Sequence, residues 1–534
     1  MTQKASLFSD RGHALAFWAG SLAVTIGVLL HIPMFLMGRY THYRLAGMPM
    51  GTGMLIGMGL IVAGTLATAY GLIPRRTKAA VFEEIPPPED APLTRAHWVQ
   101  IALLSIALII DVMKPATLGF VLPGMRSEYG LSFAHVAFLP FSGLLGTTIG
   151  SFIWGALADL YGRRATILLA AIVFMGTSIC GAMPSFAWNI FMCFMMGLGA
   201  GGMLPVAYAL LAEIMPTRHR GWCLVLVGGI GTIGGYFVTS SLSSLLQPHF
   251  GWRIMWLLGL PISSILVLVS PLLPESARFL ESMGRLQEAQ ETLARFGITM
   301  DRSLLRPAAA RTARAASPVQ IRSLLGLTCA LTLTALCVGF VSFGVLLWLP
   351  GSLMHEGRSM GAASKLIARS TLIAAPTIIL VAWLYSVWST KRTLILSVVV
   401  TTLGLVAILL RDTAGVSLLS SPVLPVVLLI AGTSGIVSMI LPYSAESYPL
   451  RVRGRATGWV AGFSKAGGLV AQALGALALV PALGIASGVV AVPCTVAILM
   501  LAIVGHETQG RDLRELEGSA LTSEMVEASA VGSD

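Results

Sequence analysis

The chain has 534 residues, of which 55% are hydrophobic and only 11% charged, whereas soluble globular proteins carry about a quarter charged residues. Apolar runs recur from Ala14 to Val504, and a helix of roughly twenty apolar residues spans a bilayer. This excludes a string of ordinary soluble domains and predicts an all-α polytopic membrane protein.

Two leading helices are expected near 14–37 and 52–73, followed by a polar linker that holds Arg75-Arg76-Thr77-Lys78 and Pro86-Pro87-Pro88-Glu89-Asp90. Lys4 and Arg11 precede the first run as in a signal peptide, but the run is too long and lacks a small-x-small cleavage site. Spans 1 to 6 follow near 99–122, 133–157, 165–183, 186–213, 223–246 and 253–273. After a polar, basic stretch come spans 7 to 12, near 321–349, 363–387, 393–410, 423–445, 455–480 and 484–504. The expected units are thus an accessory helix pair with linker (1–97), a six-helix half (98–273), a basic loop (274–320), a second six-helix half (321–504) and a disordered acidic tail (505–534).

Connections after even-numbered spans carry Arg163/Arg164, Arg218/Arg220, the run from Arg278 to Arg322, Lys391/Arg392 and Arg451/Arg453/Arg455. The opposite connections are poorer in basic residues, so the positive-inside rule makes the even connections and both termini cytoplasmic in a cell (inner) membrane. The net charge of +11 follows from these loops and suits contact with anionic lipids rather than nucleic acid. Six cysteines lie in or beside apolar runs without paired or metal-ligand spacing and read as small core residues. His31 reads as an interhelical hydrogen-bonding residue.

The two halves repeat one motif. Span 4 ends in Ala212-Glu213-Ile214-Met215-Pro216-Thr217-Arg218-His219-Arg220-Gly221, and span 10 in Ala445-Glu446-Ser447-Tyr448-Pro449-Leu450-Arg451-Val452-Arg453-Gly454. Both read A-E-x-x-P-x-x-x-R-G after a helix of small residues, as expected of a duplicated six-helix unit.

With Gly155-Ala156-Leu157-Ala158-Asp159-Leu160-Tyr161-Gly162-Arg163-Arg164, the sequence resembles the major facilitator superfamily, whose signature G-x-L-x-D-x-x-G-R-R lies between spans 2 and 3. Pro274-Glu275-Ser276-Ala277-Arg278-Phe279-Leu280 and Glu507-Thr508-Gln509-Gly510-Arg511-Asp512-Leu513 resemble motifs that its sugar porters share with organic-ion and metabolite:proton symporters. The resemblance covers about 98–517 and implies the major facilitator fold of six plus six helices and transport by alternating access. In the signature, which includes Gly162, Gly155 would allow close packing, Asp159 would accept hydrogen bonds as a conformational latch, and Arg163/Arg164 anchor the basic face. The counterpart from Tyr385 to Arg392 lacks the glycines and the acid, so a weak second latch is expected. Glu213/Arg220 and Glu446/Arg453 are candidate gate pairs.

Span 1 contains Ile110-Asp111-Val112-Met113-Lys114-Pro115. Ionisable residues within a membrane span are costly and functional by default. Asp111 and Lys114 stand three residues apart and can pair, while Pro115 cannot donate to the carbonyl of Asp111. The segment through Gly119, Phe120 and Pro123 resembles the D-x-x-D-x-x-x-x-G-[FY]-x-x-P of aromatic-acid:proton symporters, with Lys114 replacing the second acid. Lys465 is a second lysine inside an apolar helix, span 11. Two cations against one carboxylate would favour an anion, provided both lysines face the central cavity.

The expected activity is secondary transport of a small organic anion with proton symport through Asp111. A neutral sugar or polyol porter is the alternative within transport, and a non-transporting membrane sensor the alternative outside it. Scattered histidines, the lack of a phosphate-binding glycine loop and Gly-rich stretches inside spans predict no enzyme chemistry, no cofactor and no metal.

Overall fold

The computed structural model describes residues 8, 10–74, 92–297, 321–414, 421–448 and 450–509, except for the side chains of 217, 270, 321–323 and 450–454. The Pro86-Pro87-Pro88 linker, the basic stretch 298–320, the acidic tail from 510 and the Arg453 side chain lie outside these described residues. All regular structure among them is helical. Twelve helices have the length and apolar composition to cross a membrane: the leading two and ten of the expected core spans. Span 6, Ile254–Leu268, is shorter. Span 11, Leu450–Ala476, is diluted by Arg455, Gly458, Gly462, Ser464, Lys465, Gly467 and Gly468.

Local chemistry sets the span ends. Span 1, Arg95–Tyr129, exceeds the expected 99–122 because Thr94 and His97 form a reciprocal cap at its start, while Gly130 closes it at φ +63°. Serine side chains accept the orphan amides that begin spans 2, 4 and 8, with Ser132, Ser185 and Ser359 bonded to the amides of His135, Trp188 and Ala362. Several spans are segmented. Span 4 breaks between Phe186–Ala200 and Met203–Ile214 at Gly201 and Gly202, and span 8 breaks between Met360–Ala374 and Thr377–Val387 at Pro376. Span 7 contains a π-helical turn, Val341–Val345. The connection after span 6 is less irregular than its composition suggests, for Ala277–Ser282 and Leu286–Arg295 are helical.

Spans 1 and 5, 2 and 4, and 3 and 6 pack within the first bundle; spans 7 and 11, 9 and 10, and 9 and 12 pack within the second. The bundles meet where span 2 faces span 11, span 5 faces spans 8 and 10, and span 1 faces span 7. The leading pair, Arg11–Leu29 continued by Ile32–Met37, and Thr52–Gly71, lies against span 3. Its two backbones touch, since a β-carbon at Gly64 would stand 2.6 Å from the Gly20 carbonyl oxygen. Covered by this pair, span 3 has 94% of its apolar window buried. His31 bonds within its own helix, to the Gly27 carbonyl at 2.8 Å, rather than between helices, because the second leading helix approaches it through Gly57, which has no polar side chain. Cys329 is exposed, unlike the other five cysteines, and all six are free.

A buried ion pair ties the leading pair to the first bundle. Glu128 meets Arg253 at 2.7 Å, and their side chains are 4% and 0% exposed. Trp252 and the backbone amides of Leu45 and Ala46 also donate to the Glu128 carboxylate. Arg253 further donates to the Met183 carbonyl and the Tyr129 hydroxyl. Such saturation is what allows a buried pair to offset its desolvation.

Candidate functional site

A cavity of about 240 Å³ lies between the bundles. Its walls come from spans 1, 2, 4 and 5 of the first bundle and spans 7, 10 and 11 of the second. Asp111 and Lys465 both line it, one from each bundle. Lys114 does not. Its ammonium lies 3.9 Å from Asp111 Oδ1 and 3.9 Å from the centre of the Phe174 ring on span 3, with the side chain wholly enclosed. The condition that both lysines face the cavity therefore fails: three residues along a helix from Asp111, Lys114 turns into the first bundle. It stands as a fixed counter-charge behind Asp111. Among the described residues neither Lys114 Nζ nor Asp111 Oδ1 has a hydrogen-bond partner, so each depends on the other.

The ammonium of Lys465 is differently placed. It has no carboxylate within ion-pair distance among the described residues, and its packing partner is the face of Phe343, 5.3 Å from the ring centre. Phe343 belongs to the π-helical turn of span 7, whose backbone is held by the Gln472 side-chain amide donating to the Phe343 carbonyl. Such turns recur at functional sites because they displace one helical residue from register. Tyr236 of span 5 crosses to the second bundle and donates to the Ser342 carbonyl at 3.4 Å. Thr147, Ser151 and Thr232 line the same space, each with its hydroxyl donated to a helix carbonyl, which leaves oxygen lone pairs for a ligand's donors. An accessible ammonium, a carboxylate, an aromatic face and hydroxyl acceptors in a largely apolar cavity can hold a small ring that bears a negative charge.

The cavity is closed on the side away from the basic loops. Spans 1 and 7 touch there, where a β-carbon at Gly119 would lie 2.8 Å from the Leu347 carbonyl oxygen, and the Gly475 position approaches Ala137 within 3.2 Å. Toward the basic loops spans 2 and 11 diverge, since a β-carbon at Gly155, Gly458 or Gly462 would meet no atom within 4 Å. Gly155 is thus not packed in this state.

The signature loop is held by a residue for which sequence reading gave no role. One oxygen of Glu275 accepts the amides of Arg163, Arg164 and Ser276 at 2.7, 3.3 and 2.9 Å, capping the start of span 3. Gly162 sits at φ +96°, and its missing side chain leaves the space into which the Glu275 carboxylate fits. Burial pushes the Glu275 carboxyl up from its ordinary value, and the three amides partly offset this. Asp159, 75% exposed, contacts Arg163 at 3.2 Å. Glu213 reaches Arg163 at 3.3 Å rather than Arg220, because the Arg163 side chain folds back beneath the end of span 4.

The second bundle repeats the cap with the C-terminal motif. Glu507 accepts from the Thr390 amide at 2.9 Å and from the hydroxyls of Ser389 and Thr390, capping span 9 as Glu275 caps span 3. Burial opposes ionisation of Glu507, but the bonds from Ser389, Thr390 and Gln509 outweigh it and hold the carboxyl below its ordinary range. Glu446 accepts from Tyr385 at 2.7 Å and Thr508 at 2.8 Å. These bonds hold the loop from Tyr385 to Arg392 within the second bundle, although it lacks the glycines and the acid of the first.

Two six-span bundles around a charged cavity, parted between spans 2 and 11 on one side and shut between spans 1 and 7 on the other, define a multi-pass membrane carrier. Residues 104–471 match the sequence model of the Major Facilitator Superfamily, and the chain belongs to that family. It is 26% identical to the niacin transporter NiaP of Acinetobacter baylyi over 80% of this chain and 98% of that protein. It is 27% identical to the gallate transporter of Pseudomonas putida over 78% and 94% of the two chains. With the 4-hydroxybenzoate transporter PcaK of Pseudomonas putida it shares 28% identity over 73% and 87%. Among solved structures it is similar to the proton:xylose symporter XylE, with a TM-score of 0.61 and 17% identity over 79% of this chain and 98% of that one, a likeness of fold. The chain is a transporter and not an enzyme.

Proposed function

We propose that the protein carries a small aromatic or heteroaromatic carboxylate across the cell membrane together with a proton. One observation carries the anion reading: the Lys465 ammonium lines the cavity between the bundles with no carboxylate in ion-pair contact and an aromatic face beside it. A carboxylate entering such a site replaces water with charge-assisted hydrogen bonds, the strong kind. The relatives named for niacin, gallate and 4-hydroxybenzoate support a ring-bearing acid. The cavity, at about 240 Å³, is small beside drug-sized pockets of roughly 300–1,000 Å³ and suits a single ring.

Asp111 serves as the proton carrier, with Lys114 as its fixed counter-charge and Lys465 as the substrate's counter-ion. Residues 98–273 and 321–504 rock as two bodies about this site. In the state described, the site opens toward the basic loops, which face the cytoplasm together with both termini. When the loop side closes, Gly155 packs against span 11 and Asp159 accepts hydrogen bonds there, with Glu213, Arg220, Glu446 and Arg453 completing the gate. The Glu275 and Glu507 caps keep each loop rigid through the cycle.

Uptake by reconstituted vesicles of labelled nicotinate, 4-hydroxybenzoate, gallate and xylose, with and without a pH gradient, tests this reading. Accumulation of an acid driven by the gradient is expected. Accumulation of xylose alone would replace it with the polyol alternative.

A further inference from the structure

A second and larger cavity, of about 810 Å³, lies on the side away from the basic loops, between spans 1, 2 and 7 and the connection from span 11 to span 12. It is separated from the central site by the Gly119 to Leu347 contact of spans 1 and 7. Its charge is one-sided: Arg126 and His355 line it, and no carboxylate does among the described residues. Arg126 is half-buried and has no ion-pair partner among the described residues; its guanidinium contacts His355 Nε2 at 3.5 Å. The acids beside these two residues in sequence are engaged elsewhere: Glu128, two positions from Arg126, with Arg253, and Glu356, next to His355, with Arg411. Phe133 of span 2 and Trp348 of span 7 meet edge to face in the wall, ring centres 6.4 Å apart. A planar guanidinium fork and an aromatic wall lining one cavity match the two ends of an aromatic carboxylate.

We propose that this vestibule is a separate binding site for aromatic monocarboxylates, with Arg126 holding the carboxylate and Trp348 and Phe133 the ring. The proposal rests on the anion reading of the central site and extends it to a waiting position outside the closed gate. Separation of Gly119 from Leu347 would join the two cavities and pass the anion from Arg126 toward Lys465. The guanidinium also excludes cations from this mouth of the carrier.

Site-directed protection tests it on the purified full-length protein. Exposed Cys329 is first removed as Cys329→Ala, and Ser352→Cys places a thiol on the vestibule wall for labelling by a maleimide. Benzoate is the probe, with benzamide as its uncharged counterpart. At about nine times its Kd, benzoate leaves one site in ten free and slows labelling about tenfold; benzamide does not slow it. Arg126→Gln abolishes the protection, Arg126→Lys restores part of it as a fold control, and Lys465→Met leaves it intact.

Protection that survives Arg126→Gln overturns the proposal. Protection lost in Lys465→Met also overturns it, since labelling would then only report occupancy of the central cavity. If benzoate gives no protection while wild-type vesicles still accumulate carboxylates, the vestibule site fails alone. If no carboxylate is accumulated either, the anion reading of the central site fails with it.

Discussion

Replacing Lys465 by methionine separates charge recognition from shape. Methionine keeps an unbranched side chain one heavy atom shorter than lysine, and its flexible thioether can still pack toward the Phe343 ring, which lies 5.3 Å from Nζ. Since Lys465 has no ion pair among the described residues, the substitution strands no carboxylate partner within ion-pair distance, and its cost to folding is small. What it removes is the charge-assisted bond to the ligand, about 1.5–3 kcal/mol. Each 1.4 kcal/mol is about tenfold in affinity, so nicotinate binding weakens roughly ten- to hundredfold. Equilibrium binding to detergent-purified protein, with labelled nicotinate and with nicotinamide as the uncharged counterpart, reads this directly. Nicotinamide should bind the variant about as well as the wild type. Equal losses for both ligands, or none for either, would refute the charge assignment.

Lys114→Met leaves Asp111 buried with no counter-charge in ion-pair contact, and removing one partner of such a pair costs about 3–5 kcal/mol. Thermal unfolding in detergent should show that loss largely recovered in the double variant with Asp111→Asn, and simple additivity would contradict the pairing. Glu275→Ala strands the amides of Arg163, Arg164 and Ser276 and should cost about 1–3 kcal/mol, with slowed substrate exchange; unchanged stability and exchange would dismiss the cap. Deleting residues 1–90 removes the Leu45 and Ala46 donors to Glu128 but leaves its pair with Arg253. Transport by inserted protein should persist while stability falls by about 1–3 kcal/mol, and complete loss of transport at equal membrane abundance would make the leading pair part of the carrier.

Apolar run length and the duplicated A-E-x-x-P-x-x-x-R-G motif were enough to read the helical fold and its internal repeat, since both are one-dimensional signals. Asp111 and Lys465 stood out because a charge inside an apolar run is conspicuous wherever it points. The direction of Lys114 was not legible, for it depends on which face of span 1 meets span 3. Nor was the pairing of Glu213 with Arg163, since the start of span 3 and the end of span 4 come together only in the folded bundle. Phe343 and Tyr236 are ordinary apolar-helix residues by composition, and only the π-helical turn and the bond from span 5 to the Ser342 carbonyl of span 7 show them at the cavity. Glu275 and Glu507 lay within recognised motifs, yet their shared role as helix caps needed the two loops in space. The Glu128 to Arg253 pair was hidden because its members are 125 residues apart.

The central claim is that an organic anion and a proton move together, with the proton on Asp111. Asp111→Asn in sealed vesicles tests it most directly, with two readings from one preparation: exchange of labelled for unlabelled nicotinate at equal pH, and net accumulation driven by an inward proton gradient. The account predicts exchange retained and gradient-driven accumulation abolished. Accumulation at the wild-type level in the Asn variant would contradict it.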